Sequence, residues 1–194
     1  MECLKNPGPD GFQAVFYKSQ WSIVGQALYD MVKRIFQFPY VDKDLNETLI
    51  TLIPKVEKVS KMKDFRPISL CNVSYKVITK LLAYHLWPYM STLVSPFQSS
   101  FIPNRQSSDK IIIAQEVFHF MRKKKQNTSW MTIKIDLEKA YNWFNWEFIR
   151  DTLLDIGCPN NFVNLIWNCI SSSSMCVLWN GEVLDEFFAQ CGVR

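Results

Sequence analysis

The sequence predicts an α+β fold, and three observations point to it. Runs with strand character occur at Thr48 to Ile53, at Met131 to Asp136 and on both sides of Asn180-Gly181. Between them lie stripes of apolar residues at helical spacing. The 194 residues are 48% hydrophobic, which supplies a core for one large domain or two small lobes.

The chain opens on Asn6-Pro7-Gly8-Pro9-Asp10-Gly11-Phe12, a breaker-rich turn. A helix follows in which Trp21, Val24, Leu28, Met31, Val32 and Ile35 share a face, and Pro39 ends it. Thr48 to Ile53 reads as a short strand stopped by Pro54. From Lys55 to Arg66 the cations Lys55, Lys58, Lys61, Lys63 and Arg66 face only Glu57 and Asp64, which on its own reads as a solvated basic loop. Ser74 to Leu86 is the second helix, with Ile78, Leu81, Leu82 and Leu86 inward and Pro88 closing it. After a turn at Phe97 to Arg105, Ser108 caps a helix through Val117 to Arg122, whose basic end, Arg122 to Lys125, suits a helix C-terminus.

In the central stretch Met131, Ile133 and Ile135 alternate with Thr132, Lys134 and Asp136, the pattern of a half-buried strand with Asp136 on its polar face. Taken alone, Asp136 is a turn or capping aspartate. Asn145 is the expected N-cap of a helix carrying Trp146, Ile149, Leu153 and Ile156 and ending at Gly157 and Pro159. Asn160 or Asn161 starts the next helix, with Phe162, Leu165, Ile166, Cys169 and Ile170 on one face. Beyond a four-serine break, Met175 to Trp179 and Glu182 to Phe188 flank Asn180-Gly181, a type I′ hairpin signal.

The formal net charge of +4 is compatible with a polyanionic partner without requiring one. Cys3, Cys71, Cys158, Cys169, Cys176 and Cys191 form no CxxC pair, and His85 and His119 have no cysteine at zinc spacing, so reduced thiols and no structural zinc are expected. There is no signal peptide and no apolar run long enough to cross a membrane, which predicts a soluble, intracellular protein. Gly-rich phosphate loops, nucleophile elbows and metal clusters are absent from the sequence, which ranks an unrelated metabolic domain last.

Several strings in consistent order carry a family resemblance over about Pro7 to Arg194. Lys134-Ile135-Asp136-Leu137-Glu138-Lys139-Ala140-Tyr141 resembles the first palm motif of reverse transcriptases, most closely those of non-LTR (long interspersed element type) retrotransposons, abundant in plants. Pro7 to Phe12 with Phe16-Tyr17-Lys18 resembles the start of that domain. Leu52-Ile53-Pro54-Lys55 and Asp64 to Leu70 resemble its fingers motifs, and Phe97 to Arg105 its next motif, with Asn104 in place of a glycine. Cys191-Gly192-Val193-Arg194 resembles the first half of Gly-Leu-Arg-Gln-Gly-Asp-Pro.

The resemblance implies the fingers and first part of the palm of a right-hand polymerase, with a mainly antiparallel sheet flanked by helices. A fingers-like region covers residues 1–125 and a partial palm residues 126–194, truncated before the second carboxylate motif. It implies template-directed nucleotidyl transfer with two magnesium ions, acting on an RNA template, a DNA primer and deoxynucleotides. Asp136 matches the catalytic metal ligand, joined by the carbonyl of Leu137. Tyr141 matches the gate against ribonucleotides, Arg66 the arginine at the incoming triphosphate, and Lys55 and Arg105 are further substrate-binding candidates. Two features depart from the pattern: Asn142 stands where a second aspartate is usual, and no Tyr-x-Asp-Asp occurs in the 194 residues. The alternative expectation is therefore a catalytically inactive remnant that binds nucleic acid or nucleotide weakly.

Overall fold

The computed structural model describes residues 4–123, 130–137 and 139–193. The helices are α1 (Ala14–Ser19), α2 (Trp21–Gln37), α3 (Val73–Leu86), α4 (Met90–Leu93), α5 (Ser107–Lys123), α6 (Trp146–Asp155) and α7 (Asn160–Ser171). The strands are β1 (Thr48–Pro54), β2 (Phe65–Cys71), β3 (Ser174–Trp179), β4 (Glu182–Val183) and β5 (Phe187–Phe188). They divide into two compact units, Met1–Leu82 with Lys139–Arg194, and Ala83–Glu138.

The first unit holds a mixed sheet in the order β2-β1-β3-β4, with β5 also pairing β3. β1 and β2 are antiparallel from Thr48 opposite Cys71 to Pro54 opposite Phe65. β1 and β3 are parallel, with Thr48 opposite Met175. That pairing joins strands far apart in sequence, and the intervening helices supply the crossover that parallel strands require. β4 and β5 both pair β3 antiparallel, so the expectation of a mainly antiparallel sheet holds except at its centre. Pro67 is tolerated in β2 because that strand is the sheet's edge, where a missing N–H faces no partner.

Ile35 of α2, Tyr75, Ile78 and Leu82 of α3, and Leu165 and Cys169 of α7 form the core with Val41. Ile35, Ile78, Leu82, Leu165 and Cys169 lie on helical faces visible in the sequence spacing, whereas Val41 lies between elements and Tyr75 is not among the spaced residues. Within this core the fully buried Asn46 donates to the Cys169 carbonyl at 2.9 Å and to Ser172 Oγ at 2.8 Å, and Tyr75 Oη donates to the same carbonyl at 2.9 Å. The carbonyls at the end of α7 have no partner within their own helix, so these side chains complete its C-terminus.

Local signals were obeyed where they depended on near neighbours. Asn145 caps α6, its side chain accepting the Glu147 amide at 2.7 Å. At the other end Gly157 has φ +82°, its amide meets the Leu154 carbonyl and that of Cys158 meets Leu153, the paired bonds of a Schellman motif. Asn180 and Gly181 both have positive φ, as a type I′ turn requires. α5 begins at Ser107, so Ser108 sits inside its first turn rather than capping it, with its hydroxyl near Gln106 Oε1 and Asp109 Oδ1.

The expected strand at Met131 to Asp136 is not formed: residues 130–137 carry no regular structure, and Met131, Ile133 and Ile135 are 81%, 69% and 78% exposed. Alternation marks a face, but a strand persists only when another strand takes up its N–H and C=O groups. No described strand pairs with this one. Within the second unit it touches α5 instead, through Thr132 Oγ1 and Met121 Sδ at 3.3 Å and the Phe120 and Trp130 rings, 6.5 Å apart.

Candidate functional site

β1 and β2 form a hairpin whose connection carries the basic segment. Asp64 organises it: one carboxylate oxygen accepts the amides of Ser60 at 3.2 Å and Lys61 at 3.0 Å, while the Asp64 carbonyl accepts the Lys55 amide at 2.7 Å. Lys55 Nζ donates to the Lys63 carbonyl at 3.0 Å, which ties its ammonium to the loop. Arg66 lies opposite Ile53 at the start of β2, exposed. Lys58, Lys61 and Lys63 are exposed on the same connection, so the hairpin end presents a cluster of cations while its one aspartate is occupied by backbone donors. Such a cluster attracts polyanions.

Tyr141 occupies a 3-10 turn, Ala140–Trp143, that follows Lys139 at φ +52°. The turn is held from the far end of the chain. The Val193 amide donates to the Tyr141 carbonyl at 2.9 Å, the Gly192 amide to the Phe144 carbonyl at 2.7 Å, and Trp146 Nε1 to the Gly192 carbonyl at 2.7 Å. Gly192, at φ +85°, lies against the Asn142 backbone, where an added Cβ would stand 2.9 Å from its carbonyl oxygen. Tyr141 is 54% exposed, and its ring centroid is 6.2 Å from that of Phe144. Asn142 therefore sits in a clamped turn.

Asp136, Leu137 and Arg105 belong to the second unit. Asp136 and Leu137 are exposed in the irregular stretch. Arg105 is turned inward on its own unit: its guanidinium donates to the carbonyls of Ser95 and Gln98 at 2.6 and 2.7 Å and of Ser91 and Val94 at 3.1 Å each. Asn104 has φ +60°, the left-handed turn for which asparagine is suited, and Phe101 has φ +63°. Of the six candidate residues, then, Lys55 and Arg66 share one hairpin, Tyr141 lies elsewhere in the first unit, and the other three lie in the second. Lys124, Lys125, Glu138, Cys3 and Arg194 fall outside the described residues.

Among the described residues no three His, Cys, Asp or Glu side chains converge closely enough to hold a metal ion. Cys71, Cys158, Cys176 and Cys191 are free thiols, and burial pushes that of Cys176 above its ordinary pKa. No described helix is long and apolar enough to cross a membrane.

The sequence reading missed Asn72. This residue, 3% exposed, accepts the Asp10 amide at 3.2 Å and donates to the Asp44 carbonyl at 3.0 Å, fastening the Pro7 to Phe12 turn to the start of α3. Burial, followed by the nearby Asp10 carboxylate, raises the pKa of Tyr17, just beyond that turn. An asparagine directly before a helix was the available signal, but its two partners lie 62 and 28 positions away.

Residues 53–194 match the family described as Reverse transcriptase (RNA-dependent DNA polymerase). The chain is 24% identical over 190 residues to the Transposon TX1 uncharacterized 149 kDa protein of Xenopus laevis, an alignment covering 98% of this chain and 14% of that protein. It is 25% identical over 189 residues to the Retrovirus-related Pol polyprotein from type-2 retrotransposable element R2DM of Drosophila melanogaster, covering 97% and 17%. The chain thus spans less than a fifth of the length of either relative.

Proposed function

Because the chain belongs to the Reverse transcriptase (RNA-dependent DNA polymerase) family, on the non-LTR retrotransposon side of it, we propose that it supplies the nucleotide-handling fingers and part of the palm for RNA-templated DNA synthesis. The observation that carries this reading is the continuous match from Ile53 through the β1–β2 hairpin to the Asp136 segment and beyond. The proposed division is a fingers-like region at 1–125 and a partial palm at 126–194. Both relatives are animal proteins and lend no support to a plant-like origin.

The roles proposed for this chain's own residues follow from their chemistry. Arg66, exposed on the hairpin, offers a planar, permanently charged fork that can engage two phosphate oxygens of an incoming deoxynucleoside triphosphate. Lys55 assists as a point charge near the same hairpin end. Tyr141 presents its ring to the sugar and excludes a 2′-hydroxyl by contact. Arg105 is proposed as a further substrate-binding residue, its guanidinium also fastening residues 91–98 within its own unit, and an RNA template and DNA primer are the proposed partners.

Magnesium is the ion proposed for the reaction, with Asp136 and the Leu137 carbonyl as ligands. Two oxygen donors are fewer than such an ion takes from a polymerase site, and the described residues add no cluster of acids beside them. These residues alone do not fit the ion; carboxylates from elsewhere would have to complete the set. That shortfall, with Asn142 in place of an aspartate, favours as a second reading a chain that binds nucleic acid without polymerising.

The deciding experiment is primer extension on an RNA template, run with the 194-residue chain and with the same sequence extended through a downstream palm carrying Tyr-x-Asp-Asp. Extension by the longer protein that is lost on Asp136→Ala supports the polymerase reading. Its absence from a folded, longer protein supports the remnant.

A further inference from the structure

The Ala140–Trp143 turn has little to hold it from within. A short 3-10 turn closes few bonds of its own, and here the Asn142 amide donates to the Lys139 carbonyl at 2.9 Å. The bonds that fix it come from residues far along the chain. The Val193 amide donates to the Tyr141 carbonyl and the Gly192 amide to the Phe144 carbonyl, so the two residues whose rings stand 6.2 Å apart are both held by their backbones. Gly192 is gripped from its other side as well, its carbonyl accepting Trp146 Nε1 at 2.7 Å. The half-buried Trp146 ring stands edge-on to Trp167, with centroids 6.5 Å apart at 82°, and the Arg150 guanidinium lies 5.6 Å from the Trp167 centroid. Trp167 belongs to α7, whose Val163, Leu165 and Cys169 are buried. A path of contacts therefore runs from a core helix through Trp146 to Gly192 and on to Tyr141.

We propose that Trp146 is a positioning residue for Tyr141: its indole N–H fixes Gly192, and through Gly192 and Val193 it sets where the Tyr141 ring stands beside an incoming sugar. The role in sugar selection rests on the reading of Tyr141 as the gate against ribonucleotides; the clamp itself does not. Excluding one 2′-hydroxyl by contact requires a ring that cannot retreat, held to about half an ångström. The Tyr141 ring is 54% exposed, so its backbone carries much of that constraint. Gly192 suits the clamp because, at φ +85°, it brings its own backbone against that of Asn142 where a Cβ would stand 2.9 Å from the carbonyl oxygen.

The test uses Trp146→Phe, which keeps a ring to pack on Trp167 and removes the N–H. In the 194-residue chain carrying 3-fluorotyrosine at Tyr141, the fluorine line is expected to shift and sharpen. The Gly192 and Val193 amides should exchange faster while those within α7 do not change. In the protein extended through a downstream palm, the ratio of kcat/KM for deoxynucleotide over ribonucleotide should fall about three- to tenfold, the usual effect of one neutral hydrogen bond. The change should appear chiefly as a lower KM for the ribonucleotide, with kcat for the deoxynucleotide kept. Tyr141→Ala/Trp146→Phe should discriminate no worse than Tyr141→Ala alone, because Trp146 acts only through the ring already removed. A fluorine line and amide exchange that match the parent would overturn the proposal, whatever the longer protein does. Unchanged discrimination in Trp146→Phe beside relaxed discrimination in Tyr141→Ala would also overturn it and leave the gate reading intact. Additive losses in the double variant would overturn it too, since Trp146 would then act by another route. If Tyr141→Ala itself discriminates like the parent, the gate reading fails and the role in sugar selection falls with it. In that case, or if the longer protein extends no primer, the fluorine line alone decides whether Trp146 positions the turn.

Discussion

The Asn72 side chain accepts the Asp10 amide across 62 residues, and the backbone of Gly8 packs so closely on Asn72 that a Cβ at Gly8 would collide with it. The turn that begins the family resemblance is thereby fixed to the residue preceding α3. Asn72→Ala removes an acceptor and a donor from a buried position and should cost about 1 to 3 kcal/mol, because the Asp10 and Asp44 backbone groups lose their partner. Asn72→Asp keeps the acceptor and should cost less unless its charge is left buried and unpaired. Urea midpoints at constant m-value measure both; an alanine variant as stable as the parent would show that the latch carries no load.

The four carbonyls gathered by Arg105 make a second, local prediction. Arg105→Met should destabilise the 91–105 segment by about 2 kcal/mol, since the lost hydrogen bonds are charge-assisted. Hydrogen exchange should accelerate there and leave β1 and β3 unchanged. If exchange stays the same while RNA affinity drops, Arg105 serves the nucleic acid and not the turn.

Lys43 and Glu186 are joined at 2.9 Å, and the Lys43 ammonium also lies 5.1 Å from the Phe188 ring centroid. The hydrogen bond with Glu186, foremost, raises the Lys43 pKa; the bond with Lys43 lowers that of Glu186. A lowered carboxyl contributes stability above its unfolded pKa, about 4.3, and loses it as pH falls through the lower folded value. A raised ammonium contributes below about pH 10.4 and loses it at higher pH. The pair should therefore leave stability flat from pH 6 to 8. Carboxyl NMR titration should show the Glu186 pKa rising toward its ordinary value in Lys43→Met; no movement would mean the pair is not formed in solution.

What the sequence made legible was whatever it settled within a few positions. The Asn145 cap, the Gly157 ending and the Asn180-Gly181 turn depend on residues up to five apart, and each is found as expected. The alternation at Met131 to Asp136 could not supply a partner strand, and no strand is formed there. The basic loop was visible as composition, while its ordering by Asp64 and the strand character of Phe65 to Cys71 depend on pairing with β1. Asn72 was missed because both its roles are long-range. The candidate site residues were visible only through resemblance, and no spacing rule could have placed Arg66 and Asp136 in different units.

If Arg66 grips a triphosphate, Arg66→Ala should weaken deoxynucleotide binding by about 1.5 to 3 kcal/mol, or roughly 10- to 150-fold. Arg66→Lys should recover only part of this, because an ammonium lacks the planar fork. The side chain is exposed on an edge strand, so thermal stability should stay within about 0.5 kcal/mol of the parent. Isothermal titration at fixed low salt measures the binding. Equal affinities in parent and variant would remove Arg66 from the nucleotide site.

Asp136 lies in the stretch that forms no strand. A carboxylate in an irregular, exposed stretch is held by no strand pairing, and metal-assisted transfer depends on ligands held to within fractions of an ångström. It also stands alone, since no cluster of acids surrounds it among the described residues, and two divalent ions brought close repel by several kcal/mol or more unless carboxylates neutralise them. The 194-residue chain should therefore extend no primer above an Asp136→Ala control, and that substitution should leave its thermal unfolding unchanged. Adding a downstream hairpin with Tyr-x-Asp-Asp should do two things at once: protect the Ile133 and Ile135 amides from exchange, as a strand pairing would, and bring magnesium-dependent extension that Asp136→Ala abolishes. Protection without extension would show that the palm sheet can be rebuilt while its chemistry is lost, placing the defect at Asn142 or in the ligand set. Extension by the short chain would mean that Asp136 is already held by carboxylates not recognised among these residues.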